Sequence, residues 1–270
     1  AGEALEALER RQFDFVITMP RLDDMPAHEL GRRIKARHPR LPVFLLTHNA
    51  NLLNLDPRCL DPACIDRIYI WSGNADLLLA LIKSAEDGLN VDFDTTRARV
   101  RVVILVEDSP VYYSSLLPLL YKVIVTQTQA VMEESLNEEH RFFRMRARPK
   151  ILLATSYEDA LALYRRFTPY LLAVLSDVRF PREGRLDADA GYRLLRLIRE
   201  EQPELPLLNL SSEEDNRARA EAIPAVFITK NSPLLHQEIR QFFQEQLGFG
   251  DFVFRRADGA EVARAANLRE

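Results

Sequence analysis

The sequence contains no apolar run approaching the ~18–20 residues that span a bilayer. Its opening residues, Ala1-Gly2-Glu3-Ala4, lack signal-peptide character. Cysteine is scarce: Cys59 and Cys64 are the only two, too few for a disulfide framework or a four-ligand zinc site. A reducing, cytoplasmic compartment is therefore expected. Both thiols read as structural, although the C-x4-C spacing leaves a redox pair open. A basic surplus is also missing. The formal net charge of −4 argues against nucleic acid as a partner, because such proteins carry a basic face or stripe. The local basic run of Arg141, Arg144, Arg146 and Arg148 reads as the solvated end of a helix.

The 270 residues suggest two domains, each long enough to bury a core. Short apolar runs alternate with amphipathic stretches almost throughout. In the first half, Phe13–Thr18, Val43–Thr47 and Arg67–Trp71 read as strands, and Asp24–His38 and Ala75–Asp87 as helices. The polar segment Asn90–Arg99 lacks periodicity and reads as part of a linker over residues 90–100. The pattern then restarts. Val102–Val106, Ile151–Thr155, Leu171–Ser176, Leu205–Leu210 and Ala225–Thr229 read as strands. Helices are expected from Pro110, with Ser109 as N-cap, and over Tyr157–Phe167, Gly191–Glu200, Glu213–Glu221 and Pro233–Leu247. Strand and helix in alternation predict an α/β fold with a doubly wound, five-stranded parallel sheet of the flavodoxin-like kind.

Ligands in such sheets sit beyond the carboxyl ends of the strands. In the second half those ends carry Glu107-Asp108, Asp177, Ser211 and Lys230. Three carboxylates form a hard oxygen cluster suited to Mg²⁺, and without a cation they would repel one another. Asp177 is the candidate nucleophile for an aspartyl phosphate. Lys230 can pair with a phosphoryl oxygen as a point charge, and the Ser211 hydroxyl can donate to another. A backbone carbonyl near Arg179 could complete the metal shell.

From Arg101 to about Leu247 this constellation resembles the response-regulator receiver family. The resemblance rests on Val106-Glu107-Asp108-Ser109, Leu175-Ser176-Asp177-Val178-Arg179-Phe180-Pro181, Leu210-Ser211-Ser212 and Ile228-Thr229-Lys230. It implies Asp177 as phosphoacceptor and Glu107, Asp108 and Asp177, with the carbonyl at Arg179, as Mg²⁺ ligands. It also implies Ser211 as switch hydroxyl, Lys230 as the family's lysine and Phe227 as the switch aromatic. Phosphoryl groups would come from a histidine kinase or histidine phosphotransfer protein. Three departures stand out. Asn231 follows the lysine where the family has proline, so the bond would need cis geometry without proline or a different loop. Residues 182–190 enlarge the loop after Asp177. The stretch between Tyr121 and Lys150 is longer than the family's.

Read against the same template, the first half keeps only the later part of the pattern. Met19 falls at the phosphoacceptor position, Thr47 keeps the hydroxyl, and Trp71 replaces the lysine, either filling the emptied acidic pocket or marking a partner surface. Asp23 and Asp24 read as loop residues, and His28, His48 and His140 as structural. Residues 1–89 are thus expected to be an incomplete, inactive receiver, 101–247 a complete one, and 248–270 a linker to a further domain. A helix is expected over Glu261–Glu270. The apolar spacing after Pro110 fits one long helix to about Asn137, making a homodimer or interdomain contact, or two shorter helices folded on the sheet. The pair is similar to receivers preceding phosphoenolpyruvate-synthase-like enzymes in bacteria. No enzyme activity of its own is expected beyond phosphotransfer. The alternative is a receiver-like scaffold that is never phosphorylated.

Overall fold

A computed structural model describes residues 1–51, 56–133, 148–247, 252–256 and 261–265. The chain divides into two units, Ala1–Glu86 with Ser109–Pro118 and Asp87–Asp108 with Leu119–Glu270.

Unit 1 contains α1 (Gly2–Arg10), β1 (Val16–Thr18), α2 (Ala27–Arg37), β2 (Val43–Thr47), β3 (Arg67–Ile70) and the start of α3 (Asp76–Ala98). Its three strands are parallel, in the order β1-β2-β3. Helix α2 begins three residues later than the sequence pattern suggests, because Pro26 is extended at its N-cap. Its buried face, Leu30 and Ile34, packs with Val43, Leu45 and Ile68. Gly31 lies hard against the next segment: a Cβ there would stand 2.2 Å from the Cys64 carbonyl oxygen. Both cysteines are buried free thiols, and burial pushes the Cys59 thiol pKa up, as expected of structural rather than reactive thiols.

Unit 2 contains β4 (Val102–Val106), α4 (Pro110–Glu133, from Leu119 onward), β5 (Lys150–Ala154), α5 (Tyr157–Phe167), β6 (Leu171–Asp177), β7 (Phe180–Arg182), β8 (Arg185–Asp187), α6 (Ala190–Glu201), β9 (Leu207–Ser211), α7 (Arg217–Glu221), β10 (Val226–Thr229) and α8 (Leu235–Gln246). The five-stranded sheet runs β5-β4-β6-β9-β10, all parallel. This is the doubly wound, flavodoxin-like order. Strand β4 is apolar at every position and wholly buried, as a central strand covered on both faces must be. Ser156 caps α5 by accepting from the Asp159 amide at 3.1 Å. Leu194, Leu195 and Ile198 give α6 its buried stripe.

Helix α3 overturns one expectation. It continues through residues 90–98, which had read as linker. Asp87, Val91 and Thr95 recur every four residues and are all buried, but two of the three are polar, so no hydrophobic period shows. Asp87 is held by the Arg148 guanidinium, the Tyr121 hydroxyl at 3.0 Å and the Ile151 amide at 2.8 Å. Lys150 pairs with Asp94 at 2.8 Å. Arg148 is therefore a partner of a buried carboxylate, not the solvated helix end expected of it; Arg141, Arg144, Arg146 and His140 lie outside the described residues.

Helix α4 is continuous from Pro110 to Glu133, about 36 Å by its rise; residues 134–147 lie outside the described ones. The tail also departs from expectation. Glu261–Ala265 is strand β12, antiparallel to β11 (Phe252–Arg255), and not a helix. Pairing with the apolar run Phe252–Phe254 outweighs the helix propensity of Ala263 and Ala265.

One buried group in the sheet is anomalous. Asn209 in β9 is fully buried, and neither its amide nitrogen nor its carbonyl oxygen has a hydrogen-bond partner. Such a group costs about 1–3 kcal/mol. Asn209→Leu, of similar volume, is expected to raise unfolding stability by about 1 kcal/mol, read as a higher urea midpoint at unchanged m-value.

Candidate functional site

Parallel register brings the strand ends of unit 2 to one rim. Val106 of β4 pairs with Ser176 of β6, Asp177 with Leu210 of β9, and Thr229 of β10 with Ser211. Beyond β4, the Glu107 amide continues the ladder to the Ala154 carbonyl at 3.0 Å. Strand β4 connects to β5 on one side while β6 lies on the other. Glu107, Asp108 and Asp177 therefore gather at the point where the winding reverses, the usual ligand crevice of such sheets.

The three carboxylates offer oxygens that all lie within 4.8 Å of one another. Lys230 stands among them, its ammonium 2.5 Å from Glu107 and 2.9 Å from Asp177. Glu107 is fully buried, and Lys230 is its ionic partner. One ammonium leaves this cluster with an excess of negative charge. Its effect shows at Asp108, whose pKa is raised by burial first and by the Asp177 charge second; Lys230 and Arg179 partly offset both. The Asp177 carboxylate is oriented from behind, because the Val178 amide donates to its Oδ1 at 2.7 Å. Its Oδ2 is the oxygen facing Lys230.

Close-set oxygens, a raised Asp108 pKa and a shortage of positive charge fit a hard divalent cation such as Mg²⁺. Glu107, Asp108 and Asp177 would hold it. Arg179, expected to add its carbonyl, is exposed, and its side-chain charge acts on Asp108.

The residues after Asp177 form a hairpin. Strands β7 and β8 pair antiparallel, and Glu183 and Gly184 both take positive φ at the turn, as a two-residue hairpin turn requires. The enlarged loop noted in the sequence is this hairpin. Arg182 stacks on Tyr157, 5.0 Å from the ring centroid. Helix α6 then returns close to the site. The Gly191 amide donates to the Val178 carbonyl at 2.9 Å, and a Cβ on Gly191 would stand 2.1 Å from the Asp177 carbonyl oxygen.

Ser211 is buried at the end of β9. Its hydroxyl oxygen accepts from the Glu213 amide at 3.0 Å and from the Asn216 side-chain amide at 2.9 Å. Asn216 carried no signal in the sequence, since it is a single amide five positions beyond Ser211. The Lys230 amide donates to the Ser211 carbonyl at 2.7 Å, and the Lys230–Asn231 bond is trans. Of the two alternatives left by the missing proline, the chain takes a different loop, closed by the Ser232 amide on the Thr229 carbonyl. Phe227 is buried beneath the Arg217 guanidinium, 4.7 Å from its ring centroid.

The corresponding rim of unit 1 has a similar backbone and different chemistry. The Trp71 amide donates to the Thr47 carbonyl at 2.7 Å, and Thr47 Oγ1 accepts from the Asn49 amide at 3.1 Å. Met19 is exposed and Trp71 half-buried. Among the described residues, the carboxylates of unit 2 are the only cluster of three such side chains close enough to hold a metal. His28 is buried 3.5 Å from Asp56, and His48 is exposed.

No protein-family model matches the chain, and no curated protein matches it. Solved structures do. A response regulator receiver domain protein from Clostridium thermocellum is 14% identical, over 55% of this chain and 95% of its own, with a TM-score of 0.40. The signal receiver domain of an HD domain-containing protein from Pseudomonas fluorescens Pf-5 is 19% identical, over 56% and 88%, with a TM-score of 0.39. A chain of the CheX–CheY–BeF3–Mg complex from Borrelia burgdorferi is 20% identical, over 53% and 87%, with a TM-score of 0.35. Strand order and register show that unit 2 has a doubly wound, flavodoxin-like fold. No helix among the described residues is long and apolar enough to cross a membrane.

Two outcomes test the geometry. Gly191→Ala forces its Cβ onto the Asp177 carbonyl and is expected to cost about 2 kcal/mol or more in urea unfolding, as overpacking does. The second concerns pH. A carboxyl whose folded pKa is raised stabilises the fold below its unfolded pKa, and that contribution is lost as pH rises through the folded value. Without metal, Asp108 should thus lower stability on going from pH 4 to pH 7. Mg²⁺ should raise the thermal midpoint more at pH 7 than at pH 4, and Asp108→Asn should abolish most of that difference.

Proposed function

We propose that unit 2 is a phospho-receiver in which Asp177 accepts a phosphoryl group. The observation that carries this reading is the Lys230 ammonium lying between Asp177 and the buried Glu107, beside a three-carboxylate cluster. Asp177 Oδ2 attacks the phosphorus of a phosphohistidine donor, an oxygen–phosphorus bond forms, and the bond to the donor nitrogen breaks. The freed imidazole takes a proton from solvent. Lys230 then shifts its pairing from carboxylate to a phosphoryl oxygen, and Ser211 donates to another. A bound Mg²⁺ would neutralise charge on the transferring group. Glu107, Asp108 and Asp177 would supply its anionic ligands. Asp177 stays correctly turned because Val178 holds its other oxygen.

The partner on this reading is a histidine kinase or histidine phosphotransfer protein in the cytoplasm. Unit 1 is a receiver-like partner without this chemistry, since a thioether and an indole occupy the positions of Asp177 and Lys230. The output belongs to an attached or separate domain, for which a phosphoenolpyruvate-synthase-like enzyme is the candidate that the sequence resemblance offers. The scaffold reading draws support from the hairpin after Asp177 and from Asn231.

The deciding experiment is incubation of the chain with acetyl phosphate and Mg²⁺, read by intact mass and Phos-tag electrophoresis. One phosphoryl adduct per chain is expected, absent without Mg²⁺ and absent in Asp177→Asn. A folded protein that takes no adduct under any condition would leave the scaffold reading standing instead.

A further inference from the structure

We infer that Asn216 is a positioning residue for the phosphoryl site, acting through the Ser211 hydroxyl. The inference rests on the phospho-receiver reading and deepens it.

A serine hydroxyl has one proton to give and two lone pairs to fill. In this structure both acceptor positions of Ser211 are taken, one by the Glu213 amide at 3.0 Å and one by the Asn216 Nδ2 at 2.9 Å. The remaining direction belongs to the proton. A buried hydroxyl fixed in this way is a pure donor. That is the state needed to hydrogen-bond an anionic oxygen on the neighbouring strand end, and charge-assisted bonds of this kind are the strong ones.

Asn216 is itself fixed. Its backbone N–H donates to the Glu213 carbonyl at 3.3 Å, and its backbone carbonyl accepts from the Tyr192 hydroxyl at 3.0 Å. Tyr192 lies under the Arg219 guanidinium, 4.0 Å from the ring centroid, and Arg219 pairs with Asp189 at 2.5 Å. Tyr192 of α6 thus holds the Asn216 main chain in place, and from that fixed backbone the Asn216 side chain reaches Ser211. Without Asn216, the Ser211 hydroxyl can rotate and its proton loses its fixed direction.

The test uses the whole chain and beryllofluoride with Mg²⁺ as a phosphoryl mimic, titrated by calorimetry. Asn216→Ala should weaken beryllofluoride binding about fivefold, the factor for one ordinary hydrogen bond. Asn216→Asp keeps the size but replaces a donor with an acceptor that captures the Ser211 proton; it should lose at least as much. In a Ser211→Ala background, Asn216→Ala should cause no further loss. Thermal midpoints report folding of every variant. A wild type that binds normally, with Asn216→Ala unchanged or tighter, overturns this inference alone. So does an equal loss in the Ser211→Ala background, which marks a merely structural role. A folded wild type that neither binds beryllofluoride nor takes a phosphoryl group overturns the receiver reading, and this inference with it.

Discussion

Lys230 stands between two carboxylates, one of them fully buried, and the rim is organised around that fact. A buried anion without a partner costs several kcal/mol. Glu107 therefore requires a cation, and Lys230 reaches it only because β10 is in register with β9 and β9 with β6. The same ammonium lies on Asp177, so the partly exposed carboxylate and the buried one share one counterion. Any event that draws Lys230 towards a new negative charge weakens its hold on Glu107 and Asp177. The phosphoryl chemistry proposed above would draw on that coupling.

The parts legible in the sequence were those set by strong, local signals. The uninterrupted apolar run Val102–Val106 marked a central strand, and the residues just beyond each strand marked the rim. Parallel strands of a doubly wound sheet all point the same way, so their carboxyl ends share one rim. Asp177, Glu107, Asp108, Ser211 and Lys230 all lie at the strand ends where they were expected, and the carboxylates and Lys230 meet in one cluster.

The parts that were not legible depend on partners distant in sequence. Helix α3 looked finished near Asp87 because its buried stripe continues with a carboxylate and a threonine. Asp87 is satisfied by Arg148 and by the amide of Ile151, more than sixty positions on. Arg148 looked solvated for the same reason in reverse. The hairpin of β7 and β8 showed only as extra length, and β12 was taken for helix because alanine and arginine favour helices where no pairing strand is seen. Asn216 was silent because a single amide has no pattern, and its role comes from which lone pair it fills.

Helix α7 is only five residues long, far below the length at which a helix holds itself in water. It persists because Arg217 clasps Phe227 and Glu214 on one side, and Arg219 clasps Tyr192 and Asp189 on the other. Its order is thus borrowed from four side chains on its neighbours. The amides of this segment should be among the first in unit 2 to exchange with deuterium, so the face beside Ser211 and Phe227 is also the cheapest part of the unit to open.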